Sequence, residues 1–149
     1  MNVALKEVTR QTLRAVCKLD AADAATQVAP NAVSIAEASF YDEAWFRAIY
    51  DDEVLVGFVM LYDPTLVENP DEPDFFLWRL MIDKAHQRKG LGHAVVKLLI
   101  DLVRTRPGAK KLLVSHMSKA DSLARFYRSL GFIYTGKEEE GEKVMALDL

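Results

Sequence analysis

Hydrophobic positions along the chain change period several times, and each change marks an element. Residues 2–8 (NVALKEV) alternate, as a half-buried strand does. From Thr9 the period lengthens, and Leu13, Val16, Cys17 and Leu19 share one face of a helix that Thr9 can cap. A second helix is predicted from near Ser34, with Glu37 three residues later at capping-box spacing. Residues 46–50 (FRAIY) and 54–62 (VLVGFVMLY) are rich in β-formers and flank Asp51-Asp52-Glu53, which predicts a hairpin. Residues 63–74 hold three prolines and five acids and read as a loop. FFLWRLMID (75–83) is apolar at nearly every position, the pattern of a strand covered on both faces inside a mixed sheet. A polar turn leads to LGHAVVKLLIDLVR (91–104), an apolar-faced helix ended by Pro107-Gly108. KKLLVSHM (110–117) is another buried strand. Leu123, Phe126, Tyr127 and Leu130 then share a helical face, with Gly131 as the stop. FIYTG and KVMALDL close the chain as two strands around EEEGE (138–142). The pattern predicts an α/β fold of about seven strands whose C-terminal half runs strand-helix-strand-helix-strand.

At 149 residues, 50% of them hydrophobic and 28% charged, the chain is expected to form one globular domain, residues 1–149. A single cysteine, Cys17, excludes an internal disulfide and a cysteine-rich zinc site, and it reads as a core residue of the first helix. His86 and His116 lack ligand spacing, so no metal is expected. The apolar runs are too short to span a bilayer, and MNVALKEVTRQ lacks a signal-peptide core, which predicts a cytoplasmic protein with no membrane partner. No basic-aromatic face for nucleic acid is evident. The net charge of −3 is unevenly placed. Residues 1–74 hold five Lys/Arg against fourteen Asp/Glu, a net of −9, and residues 75–149 hold fourteen against eight, a net of +6. An acidic half can face a cation and a basic half an anion, or both can only solvate the surface.

The candidate chemistry starts at Gln87-Arg88-Lys89-Gly90-Leu91-Gly92, between a strand and a helix. Two glycines two apart allow close backbone approach, and the helix start offers unpaired N–H groups to an anion. Arg88 and Lys89 add positive charge. The segment is neither a P-loop (GxxxxGK[ST]) nor a dinucleotide fingerprint, because position 95 is Val. By itself it reads as a pyrophosphate site or as a plain glycine turn.

QRKGLG after WRLMID resembles the Q/R-x-x-G-x-G/A acyl-CoA motif of the GNAT superfamily of N-acetyltransferases, and ARFYRSLGF resembles its second hallmark. SIAEASFY, AIYDDEVLVGFVM and WRLMIDKAHQRKGLG are similar to the spermine/spermidine acetyltransferases of the diamine acetyltransferase group. The resemblance implies a mixed sheet splayed between strands 4 and 5, with acetyl-CoA in the gap, and a homodimer. It implies that the main chains of Leu80, Met81 and Ile82 hold pantetheine. It implies also that the main-chain groups of Gln87, Arg88, Lys89, Gly90, Leu91 and Gly92, with His93 at the helix start, hold the pyrophosphate. Tyr127 would protonate the departing thiolate, a step suited to a phenol of pKa about 10. Where the family often has a cofactor-binding asparagine this chain has Ala120, leaving Asp121 or Ser122 to replace that contact or only to cap the helix. The acceptor amine must lose a proton, for which Glu37 and the acidic loop are candidates. Phe40, Tyr41 and Trp78 could line a polyamine or pack in the core. The expected function is acetyl transfer to a small cationic amine, a polyamine foremost. Another amine acceptor (an aminoglycoside, an amino acid or a protein N-terminus) or a non-catalytic acyl-CoA-binding module is the alternative.

Overall fold

The computed structural model describes residues 1–22, 29–118 and 120–149. The elements run β1 (Val3–Lys6), α1 (Leu13–Lys18), α2 (Asn31–Ala38), β2 (Ala44–Asp51), β3 (Val54–Tyr62), β4 (Phe75–Ile82), α3 (Leu91–Arg104), β5 (Lys111–Met117), α4 (Asp121–Ser129), β6 (Ile133–Glu139) and β7 (Glu142–Asp148). One seven-stranded sheet has the order β1-β2-β3-β4-β5-β7-β6. Strands β1 to β4 pair antiparallel, β4 and β5 parallel, and β5, β7 and β6 antiparallel. One core lies under α3 and α4, around Val95, Leu99, Phe75, Leu112, Phe132 and Met145. The other lies under α1 and α2, around Val16, Phe58 and Met60. Apolar burial on both faces of the central strands drives the assembly.

Two helix starts differ from the sequence reading. Thr9 does not cap α1 directly. It forms a reciprocal turn with Thr12, in which the Thr12 N–H donates to Thr9 O at 3.1 Å and the Thr9 N–H to Thr12 Oγ1 at 2.9 Å. The helix starts only at Leu13, one turn later. Ser34 is no cap either, because α2 begins three residues earlier, after Pro30, and buries Ser34 in its interior. Proline presets the helical φ at an entry, and here it overrides the capping-box spacing. Asn31 then donates its side-chain amide to Val16 O at 2.8 Å, stitching α2 to α1.

The gap expected between strands 4 and 5 is present. Strands β4 and β5 pair only at Phe75↔Leu112 and Phe76↔Leu113 and then diverge. Beyond Leu77, β4 is therefore not covered on both sides as its composition suggests; Trp78, Arg79 and Leu80 are half-buried. The β3–β4 register slips there, with Met60 opposite Arg79 and Leu61 opposite Leu77, so Trp78 is the extra residue of a bulge. A bulge turns two consecutive side chains towards one face. It puts Trp78 and Arg79 together on the α2 side, where Trp78 packs beside Phe58 and Met60 and Arg79 meets Glu37.

Candidate active site

Strand β4 presents a free main-chain edge to the gap. The Asp83 N–H donates to Val56 O at 2.8 Å, towards β3. Strand alternation then points the main chain of Met81 towards β3 as well, and those of Leu80 and Ile82 into the gap. Of the three residues expected to hold pantetheine, Met81 is thus turned away. Its carbonyl oxygen is so close to Gly57 that a Cβ there would collide with it.

Among the described residues, nothing pairs with the N–H groups of the loop after β4 from Arg88 to Gly92. Arg88 at φ 64° and Gly90 at φ 82° are both left-handed, and Gly90 stands as the N-cap of α3 with no side chain capping it. The 14-residue helix therefore turns its first N–H groups and its positive end to the loop's open side. Arg88 and Lys89 are exposed beside it. Gly92 lies against Phe126, 3.6 Å from where a Cβ would sit, and the His93 ring meets Phe126 edge-on at 6.5 Å. The Gln87 side chain does not face the loop's open side. Its amide donates to Ile82 O at 2.9 Å and Ala21 O at 2.8 Å. Unpaired N–H groups, nearby cations and an open strand edge suit the pyrophosphate and pantetheine of acetyl-CoA.

A chain of cavities runs along the gap, with Trp78 common to three of them. The innermost, about 300 Å³, is lined by Leu80, Ser115, Leu123, Arg79, Tyr127 and Glu142. The next, about 760 Å³, adds Phe76, Glu139 and Glu140. The outermost, about 500 Å³, is lined by Tyr41, Tyr62, Asp71, Glu72, Asp74 and Lys137 among others. Tyr127 is 6% exposed, and loss of solvent pushes its phenol above the ordinary tyrosine range. The acidic loop is pinned in place. Tyr62 donates to Glu43 at 3.1 Å and accepts from the Glu72 N–H at 2.9 Å, and burial raises its phenol too. Buried Asp63 accepts from the Thr65 N–H and hydroxyl and pairs with Arg106 at 3.2 Å.

The expected acceptor residues are only partly brought together. Tyr41 and Trp78 meet edge-to-face at 5.2 Å on the cleft wall. Phe40 is 85% exposed, because it leaves the end of α2 pointing to solvent. Glu37 is paired with Arg79 at 3.2 Å, so its charge is already matched, and it lines none of the three cavities. Asp121 stands in the first turn of α4, where Ala120 is the N-cap and no side chain caps the helix. Sequence reasoning missed Glu139, Glu140 and Glu142. The run EEEGE is visible as a charged turn, but the β5-β7-β6 order is what carries it to the cleft. The charge division by sequence halves therefore fails, since the basic half supplies three of the cleft's carboxylates.

An open mixed sheet, a cationic loop at a helix start beside a free strand edge, and a buried phenol facing the gap define an acyl-CoA-dependent acyltransferase. The chain belongs to the acetyltransferase (GNAT) family, which matches residues 14–132. It is an N-acetyltransferase that uses acetyl-CoA. It is 32% identical over 103 residues to the spermine/spermidine N(1)-acetyltransferase of Bacillus subtilis (strain 168), covering 68% of each chain. The fold is similar to an acetyltransferase from Thermus thermophilus, with TM-score 0.76, 16% identity and coverage of 100% and 98%. It is also similar to the aminoglycoside acetyltransferase AAC(6')-Ib in complex with coenzyme A, with TM-score 0.75, 16% identity and coverage of 99% and 95%. Among the described residues no helix is long and apolar enough to cross a membrane.

Proposed function

We propose that the enzyme acetylates a primary amine of a small polycation of the polyamine class. The observation that carries this reading is the cleft itself. From Tyr127 outward it is lined by Glu142, Glu139, Glu140, Asp71, Glu72 and Asp74, interleaved with Trp78, Phe76, Tyr41 and Tyr62. Carboxylates hold spaced ammonium groups, and aromatic faces hold methylenes and cations between them. The similarity to a spermine/spermidine acetyltransferase supports the same class.

Acetyl-CoA supplies an activated acetyl thioester. The N–H groups at the start of α3, with Arg88 and Lys89, balance its pyrophosphate, and the free edge at Leu80 and the Ile82 N–H aligns its arm, the Ile82 carbonyl being taken by Gln87. An alkylammonium of pKa about 10 must shed a proton before it attacks. Glu142 lines the Tyr127 cavity, and no ion pair engages it among the described residues, so it replaces Glu37 as the group that orients the amine and takes that proton. The amine forms the new C–N bond as the C–S bond breaks. Tyr127, a phenol already protonated at neutral pH and raised further by burial, donates its proton to the leaving sulfur, and the second proton shed by the acylated nitrogen restores the phenol.

Thiol release from acetyl-CoA should be measured with spermidine, spermine, butylamine, kanamycin and an amino acid. The expected result is a kcat/KM for spermidine and spermine about tenfold or more above butylamine, the scale of a few added charge contacts. Preference for a neutral or anionic acceptor would remove the polyamine reading and leave the family.

A further inference from the structure

We propose that Gln87 is a positioning residue that couples the pyrophosphate loop to the acceptor side of the cleft. The inference rests on the use of acetyl-CoA; its kinetic test also rests on the polyamine reading, and its hydrogen-exchange test does not. The two protons of one side-chain amide are shared between two segments. One goes to Ile82 O at the end of β4, at 2.9 Å, and the other to Ala21 O beyond the end of α1, at 2.8 Å. The main chain of Gln87 thus opens the loop while its side chain grips the segment behind it.

The grip is reinforced on both sides. Asp83 accepts from the Asp20 N–H at 2.9 Å, and the Lys84 N–H donates to Asp20 O at 2.8 Å. Lys84 Nζ lies 3.5 Å from the Asp20 carboxylate. The other Asp20 oxygen accepts from the Ala22 N–H at 2.9 Å, at a residue whose φ of 58° is left-handed. A non-glycine residue holds that conformation only where its surroundings require it.

From there the connection returns to the cleft through described contacts alone. Helix α1 is bonded to α2 through Val16 O and buried Asn31, at 2.8 Å. Helix α2 pairs Glu37 with Arg79 of the β4 bulge at 3.2 Å, next to Trp78. The path from β4 through Gln87, residues 20–22, α1 and α2 closes on β4 again. A loop that settles on an anion therefore settles the wall that faces the amine. By linkage, the amine side also favours the bound loop to the same extent.

Three variants test this. Gln87→Met keeps the length and loses both donors, Gln87→Arg keeps donors, and Asp83→Ala cuts the bond to Asp20 and the cap on the Ala85 N–H while leaving the Gln87 amide in the chain. The spermidine KM at saturating acetyl-CoA should rise about threefold to tenfold in Gln87→Met and Asp83→Ala, the range that one net hydrogen bond carries, and return in Gln87→Arg. Amide hydrogen exchange, which needs no acceptor, gives an independent reading. Acetyl-CoA should slow exchange at Asp20 and Ala22 in the wild type and not in Gln87→Met. If Gln87→Met weakens acetyl-CoA binding alone, with spermidine KM and the exchange response as in wild type, Gln87 serves only its own loop and the proposal is overturned.

Discussion

Tyr127 packs its ring edge-on against Phe126 and Phe132, with centroids 5.1 and 5.5 Å away, while it also lines the inner cavity. Core packing and a place on the cleft wall meet on one side chain, and burial raises its phenol further above the ordinary tyrosine range. Tyr127→Phe should keep the fold and the calorimetric affinity for acetyl-CoA and lose about 10² to 10⁴-fold in kcat, the span of one general acid. Stability supplies a second check. Below about pH 10 the phenol is protonated in both folded and unfolded chains. Above that the unfolded chain sheds its proton while the folded chain keeps it, so stability falls as pH rises. Chemical denaturation of wild type and variant should show the wild type losing stability more steeply above about pH 10. Equal slopes and wild-type turnover would make Tyr127 a packing residue only.

The β6–β7 hairpin shows how an element can reverse the meaning of its own composition. Lys137 and Lys143 flank EEEGE, yet Glu139, Glu140 and Glu142 all line the cleft. Ser118 braces the turn from the end of β5, its single hydroxyl proton shared between two acceptors, Glu138 Oε1 and Gly141 O, each at 3.0 Å. Replacing Glu139 and Glu140 together by Gln, with Glu142 kept, should raise the spermidine KM about fivefold, since partly exposed charge pairs contribute about 0.2–1 kcal/mol each. The butylamine KM should change less, and steady-state kinetics with both amines decides it. Equal changes for the two amines would mean that Glu139 and Glu140 only solvate the turn. The β4 bulge is the second decisive element, placing Trp78 and Arg79 on one face where simple alternation would separate them.

At the scale of the molecule, the gap runs from a cationic end to an anionic one. Gly90, Arg88, Lys89 and the start of α3 stand at the first, and the acidic loop with the hairpin at the second. A cleft in which carboxylates outnumber the cations Arg79 and Lys137 attracts a polycation beyond contact distance. Screening shortens that reach to about 8 Å at 0.15 M salt. The kcat/KM for spermidine should therefore fall as sodium chloride rises from about 0.02 to 0.3 M, and fall further than for butylamine. A flat salt profile for spermidine would contradict electrostatic capture.

The sequence by itself determined the alternation of elements, the α3 and α4 faces, the β2–β3 hairpin, the glycine loop and the segment that carries Tyr127. Those features depend on local period and on turn residues, which neighbouring positions in the chain specify. The splayed sheet was legible through the resemblance to a family, on QRKGLG and ARFYRSLGF. Tertiary structure decided the rest. The start of α2 follows Pro30 and the burial of Ser34 rather than the Ser34–Glu37 spacing. Glu37 became a partner of Arg79 because a cross-strand bulge, invisible in either strand alone, turned that guanidinium towards α2. Glu142 reached Tyr127's cavity because β7 pairs with β5, across a connection that local periodicity does not encode. Gln87's grip on Ala21 joins residues 66 positions apart, and only packing brings such groups within hydrogen-bond reach.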